Sequence, residues 1–220
     1  MVVHLILCAI LSVVSCIAIA ATPERPILVL GDSLSAAHGL APSEGWVALL
    51  DARLRSAGTP HTIVNASISG ETTAGGLARL PALLAQHKPA LVMIELGAND
   101  GLRGLPIAEI RANLVKILDA VRGADAHGFL IGIELPVNYG PRYRDDLRAL
   151  YRGLATEYNA PLVPFLLDGV ALDPALMQAD GLHPNAAGER KVLDNVWPTL
   201  ERVLRKELES RISQSDEAKR

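Results

Sequence analysis

The sequence predicts an α/β fold built on a five-stranded parallel sheet, and two features predict it. Five short apolar runs of strand length alternate with five stretches whose apolar residues recur at helical spacing. The clearest runs are apolar at consecutive positions, as in strands covered by helices on both faces. Three of the runs and the Asn138 loop after the fourth carry Ser, Gly or Asn just beyond their carboxyl ends, where open α/β sheets place their ligands.

The first run, Ile27 to Leu30, is bounded by Pro26 and Gly31 and stops at Gly31-Asp32-Ser33. Ser43 to Ala57 follows as a helix with Trp46, Val47, Leu49, Leu50 and Leu54 on its stripe and Gly58 as its stop. His61 to Ala66 is β-branched at its centre and reads as the second strand, ending in Ser67-Ile68-Ser69-Gly70. Thr72 to Gln86 is helical in pattern, with Pro81 expected to bend or split it. Ala90 to Leu96 is the third strand and runs into Gly97-Ala98-Asn99-Asp100-Gly101. Ile107 to Val121 is a helix, Gly128 to Leu135 the fourth strand, Tyr143 to Tyr158 a helix, and Pro161 to Pro164 a short fifth strand. Asp180-Gly181-Leu182-His183-Pro184-Asn185 then leads into a last helix from Ala186 towards Leu208.

The 220 residues are 50% hydrophobic with a net charge of −3, enough for one globular domain and without the clustered basic surplus of a nucleic-acid binder. Val2 to Ala21 carries no charged side chain and reads as a secretory signal with small residues at Ala18-Ile19-Ala20. A membrane anchor and lipidation at Cys16, after Val13-Val14-Ser15, are the alternative readings. Both cysteines, Cys8 and Cys16, lie in this segment, so the mature domain has neither a disulfide nor a thiolate nucleophile. The division is thus a signal at 1–21, a catalytic domain at 22–208 and a charged tail at 209–220, with a periplasmic or secreted destination.

A serine nucleophile at neutral pH needs a base within hydrogen-bond reach and an acid to orient that base. Ser33 lies at a strand-to-helix turn, and His183 is the one histidine with a carboxylate, Asp180, three residues before it in a turn. Acyl transfer also needs donors for a developing oxyanion, and the Ser33 N–H, the Gly70 N–H and the Asn99 amide are the candidates. Each residue has a plainer reading: Ser33 and Asp180 as turn residues, Asn185 as a helix N-cap, Gly70 as a left-handed turn, Asn99 as an Asx-turn. No Cys or His cluster suggests a metal, and no cofactor motif appears.

These residues stand in four blocks that resemble the SGNH or GDSL hydrolases, in the branch of bacterial thioesterase I, lysophospholipase L1 and arylesterase. Gly31-Asp32-Ser33-Leu34-Ser35 is similar to the first block, Asn65 to Thr72 to the second, Glu95 to Gly101 to the third, and Asp180 to Asn185 to the fifth. The resemblance implies a three-layer α/β/α, flavodoxin-like fold and a serine hydrolase of esters and thioesters. It also implies Ser33, Asp180 and His183 as catalytic residues, and Ser33, Gly70 and Asn99 as the oxyanion hole. A carbohydrate O-deacetylase of the same superfamily and a flavodoxin-like binding module are the competing functions. For an acyl substrate, Leu34, Leu102, Leu105, Pro106, Asn138 and Tyr139 are the expected groove, with Val137 and Met177 beside them. Gly101 and Gly104 would let the loop at 101–106 move over the chain. A monomer acting on a small molecule, without nucleic acid or stable membrane insertion of the mature domain, completes the expectation.

Overall fold

The structure is a computed structural model, and it describes residues 25–217; the expected signal segment and both cysteines lie outside them. Five strands, β1 (Ile27–Gly31), β2 (Ile63–Asn65), β3 (Leu91–Glu95), β4 (His127–Ile131) and β5 (Leu162–Val163), form one parallel sheet in the order β2-β1-β3-β4-β5. The chain winds outward from β1 to β2, then reverses through β3 to β5. The reversal opens a crevice between β1 and β3, and this topological switch point is where such sheets bind ligands.

Successive residues of each strand face opposite sides, so the apolar runs feed two cores. Leu28, Leu30, Val92, Ile94 and Leu130 pack under α2 (Thr73–His87), α4 (Ile107–Gly123) and α5 (Pro141–Glu157). Ile27, Val29, Met93, Phe129 and Ile131 pack under α1 (Trp46–Ser56) and α6 (Ala186–Glu217). A short α3 (Ala98–Leu102) sits at the catalytic end. The three-layer α/β/α arrangement expected from the sequence is therefore the one observed.

Four boundaries differ from the sequence reading. The first helical stretch divides at Gly45, whose extended backbone (φ −70°, ψ 148°) separates a 3-10 turn at Pro42–Glu44 from α1. Pro81 does not split α2, which runs continuously from Thr73 to His87. β4 stops at Ile131, although the Gly132 N–H still donates to the Val163 carbonyl at 2.8 Å, and a Cβ at Gly132 would lie 2.3 Å from the Pro164 carbonyl oxygen. The last helix continues beyond Leu208 to Glu217.

The amino end of α1 has no side-chain cap of its own; instead Glu189 of α6 reaches across and accepts from the Trp46 N–H at 2.8 Å. Burial pushes this carboxyl up to about 7. Among the described residues, no helix is long and apolar enough to cross a membrane, and no group of three or more His, Cys, Asp or Glu could hold a metal ion.

Candidate active site

Parallel register sets the catalytic edge. Leu30 pairs with Ile94 and Gly31 with Glu95, so the turn after β1 and the turn after β3 leave the sheet side by side. Ser33 follows β1 and Asn99 opens α3 after β3. Gly97 makes the second turn possible: its φ of 120° is outside the range of ordinary residues, and a Cβ there would meet the Tyr151 hydroxyl at 2.4 Å.

His183 arrives from 150 residues away. Its Nε2 accepts from the Ser33 Oγ–H at 2.9 Å, and its Nδ1–H donates to Asp180 Oδ2 at 2.7 Å. The tautomer follows from the partner, since a carboxylate can only accept. Asp180 Oδ1 accepts from the N–H groups of Leu182 at 2.9 Å and His183 at 3.1 Å, so the same carboxylate folds the turn and holds the ring. The Leu182 N–H bond first, and the His183 side chain second, lower its pKa to about 2. Asn185 is the N-cap of α6, its Oδ1 accepting from Ala187 N–H and Gly188 N–H. The two roles the sequence left open for this turn are thus divided between Asn185, the cap, and Asp180, the partner of His183.

The three expected oxyanion donors lie just beyond the carboxyl ends of β1, β2 and β3. The N–H groups of Ser33 and Gly70 make no hydrogen bond among the described residues, and Gly70, at φ 83°, is exposed on its turn. The Asn99 amide is engaged, donating to Asp32 Oδ2 at 2.9 Å and to the Glu71 carbonyl at 2.9 Å.

The expected groove residues are not all brought together. Leu102, Leu105 and Tyr139 pack on the α2/α4/α5 side of the sheet, whereas Leu34 packs on the α1/α6 side, its carbonyl accepting from the Trp46 indole N–H at 3.1 Å. Met177 is core, bridged to Pro184, while Pro106, Val137 and Asn138 are exposed. The loop at 101–106 is also tethered: Tyr139 donates its hydroxyl to the Leu102 carbonyl at 2.8 Å and Tyr143 to the Leu105 carbonyl at 2.5 Å. Two glycines in that loop gave no warning of these two anchors.

Three further residues at the site escaped the sequence reading. Gln178 Nε2 donates to the carbonyls of His38 at 2.7 Å and Pro184 at 2.8 Å, tying the Ser33 loop to the His183 loop. His38 lies against His183 with ring centroids 4.4 Å apart. Glu95 is fully buried beneath Ser33. Only Glu95 had a signal, being the one charged residue in an otherwise apolar strand.

Residues 29–191 match the model of the GDSL-like Lipase/Acylhydrolase family. The chain is 53% identical over 180 residues to the Esterase TesA of Pseudomonas aeruginosa, covering 82% of this chain and 90% of the relative. It is 47% identical over 168 residues to the Thioesterase 1/protease 1/lysophospholipase L1 of Escherichia coli, covering 76% and 79%. Among solved structures it resembles the psychrotrophic esterase EstA from Pseudoalteromonas, in a form inhibited by monoethylphosphonate, with a TM-score of 0.79, 41% identity and coverage of 83% and 100%. A matched family model spanning most of the chain, two relatives near half identity and a switch-point site on a parallel sheet lead to one conclusion: this chain belongs to the GDSL-like lipase/acylhydrolase family.

Proposed function

We propose that the chain is an exported serine hydrolase that cleaves carboxylic esters and thioesters of short to medium acyl chains through an acyl-enzyme on Ser33. The observation that carries this is the continuous hydrogen-bonded path from Ser33 Oγ through His183 to Asp180, at 2.9 and 2.7 Å. His183 removes the Ser33 proton as Oγ attacks the acyl carbon, then returns it to the departing alcohol or thiol; water repeats the sequence to release the acid. Asp180, with a pKa near 2, stays ionised throughout and faces the imidazolium. The tetrahedral oxyanion lies among the Ser33 N–H, the Gly70 N–H and the Asn99 amide. To serve it, the Asn99 amide turns its proton from the neutral Glu71 carbonyl, a weaker acceptor than an alkoxide.

Asn99→Ala is accordingly expected to lower kcat by about 10² to 10³ with little change in KM, because the amide acts on transition-state charge. A change confined to KM, measured with one good ester, would reassign Asn99 to substrate binding.

Leu102, Leu105 and Tyr139, which pack together on the α2/α4/α5 side of the sheet, are read as the apolar side of the site that would take a fatty acyl group. Each buried CH₂ is worth about 0.8 kcal/mol, so kcat/KM climbs several-fold per two carbons from acetyl to about hexanoyl or octanoyl and then levels. A series of p-nitrophenyl esters and matched thioesters tests this. Leu105→Ala depresses the longer chains more than acetyl. A preference for acetyl with no climb, and turnover of acetylated sugars, would establish the deacetylase reading instead. Residues 1–21 are read as a cleaved export signal and 22–208 as the catalytic domain, and the enzyme as a monomer.

A further inference from the structure

Beneath the Ser33 turn lie two carboxyl groups that the reaction above does not use. Asp32 precedes Ser33, Glu95 ends β3 opposite Gly31, and both are fully buried. Two neighbouring carboxylates in a dry interior do not both keep their charge, so one proton stays on the pair.

The hydrogen bonds locate that proton. Asp32 accepts at both oxygens: Oδ1 from the Leu34 N–H at 2.9 Å and Oδ2 from the Asn99 amide at 2.9 Å. Glu95 accepts only at Oε2, from the Asp32 N–H at 3.2 Å and the Ser35 hydroxyl at 2.8 Å. Its Oε1 is buried and meets no donor. The unfilled position is Glu95 Oε1, and the bond from the Asp32 N–H to Glu95 Oε2 at 3.2 Å sets the two acids side by side.

We propose that Glu95 is a positioning residue: a neutral acid that holds Asp32 as a carboxylate, so that Asp32 fixes which end of the Asn99 amide faces the oxyanion site. This rests on the reading of Ser33 and Asn99 as the reacting centre. The logic is that an amide's two ends are nearly alike in shape, and only their partners orient them. In the resting site the Glu71 carbonyl also holds the amide nitrogen; once that proton turns to the oxyanion, Asp32 is the acceptor left to anchor it, and a proton on Asp32 Oδ2 would weaken that anchor and loosen the oxyanion donor. Burial raises both acids, Asp32 to about 6 and Glu95 well above the usual carboxylate range, the order this arrangement requires. Around the pair, Asp100 accepts from the Thr73 N–H and hydroxyl, Tyr151 donates to the Leu96 carbonyl at 2.6 Å, and His183 is hydrogen-bonded to Ser33. Gly31 leaves room for the pair, since a Cβ there would lie 2.9 Å from Glu95 Oε2.

The test uses the purified mature enzyme and two substitutions. Gln mimics the neutral acid, with a carbonyl to accept from Asp32 N–H and Ser35 and an amide to donate to Asp32. Glu95→Gln is therefore expected to keep kcat within about threefold, whereas Glu95→Ala lowers it by on the order of 10² at nearly unchanged KM, as befits a lost oxyanion orientation. Infrared difference spectra at pH 8 read the proton directly. The wild type shows a buried protonated-carboxyl band that is absent from Glu95→Gln, with any contribution from Glu189 cancelling. A band that persists in Glu95→Gln, a wild type without it, or Glu95→Ala with wild-type kcat overturns the proposal. If Glu95→Ala does not fold, the band and the Gln variant still decide. Should Ser33→Ala remain active while the band behaves as described, the reading of the reacting centre fails and the placement of the proton stands.

Discussion

Replacing Ser33 with Ala lowers kcat by about 10³ to 10⁶ and leaves the protein folded. The chemical half of this expectation follows from the nucleophile: among the described residues, no other hydroxyl is hydrogen-bonded to His183 Nε2. The structural half follows from its setting, a partly exposed turn outside both apolar cores, where losing one oxygen opens no cavity. Melting temperature should therefore barely move, the stability change staying within about 0.5 kcal/mol. A fluorophosphonate should label Ser33 and nothing else in the wild type. Labelling at another residue, together with activity within about threefold of wild type in Ser33→Ala, would show that the nucleophile lies elsewhere.

Asp180→Asn costs about 10³ to 10⁴ in kcat through the tautomer of His183 rather than through the fold. Asn keeps an oxygen to accept from the Leu182 and His183 N–H groups, so the turn survives. Its other end donates, and so cannot accept the Nδ1–H. The imidazole answers by moving its proton to Nε2, the atom that must receive the Ser33 proton. Far-ultraviolet circular dichroism and melting should match wild type while the burst of acylation disappears. A variant that unfolds would mean that Asp180 serves the turn alone. The same geometry sets the pH dependence: Asp180, held near 2, is ionised well below the working range, so the acid limb of kcat/KM reflects only groups that titrate above it. Activity is expected to fall as the pH drops through about 6, where Asp32, raised by burial, takes up a proton and weakens as an acceptor for the Asn99 amide.

Much of this was legible because the sheet is buried on both faces. Ile27 to Leu30 and Ala90 to Ile94 had to be apolar at consecutive positions, and that signal is independent of anything distant in the chain. Asp180 and His183 were legible for a similar reason. Their hydrogen bond spans three residues in one turn, so the pair is written locally. Boundaries were less legible where a distant group decides them: α1 begins where Glu189 caps it from α6. Pro81 illustrates the opposite case: of the bend or split expected, the split is absent, and α2 runs on through the proline as it packs on the sheet.

The sequence by itself determined the alternation of strands and helices, the polar turn after each strand, and which residues could act as nucleophile, base, acid and oxyanion donors. Those depend on periodicity and on short-range spacing, which the chain carries in order. Tertiary structure alone decided the strand order that puts β1 beside β3, the 2.9 Å approach of His183 to a serine 150 residues away, and the side of the sheet on which Leu34 packs. It also decided that Glu95 meets Asp32. A carboxyl group at the end of an apolar strand becomes a proton holder only when parallel register sets a second one beside it in the dry interior, and register is a property of two strands rather than of either one.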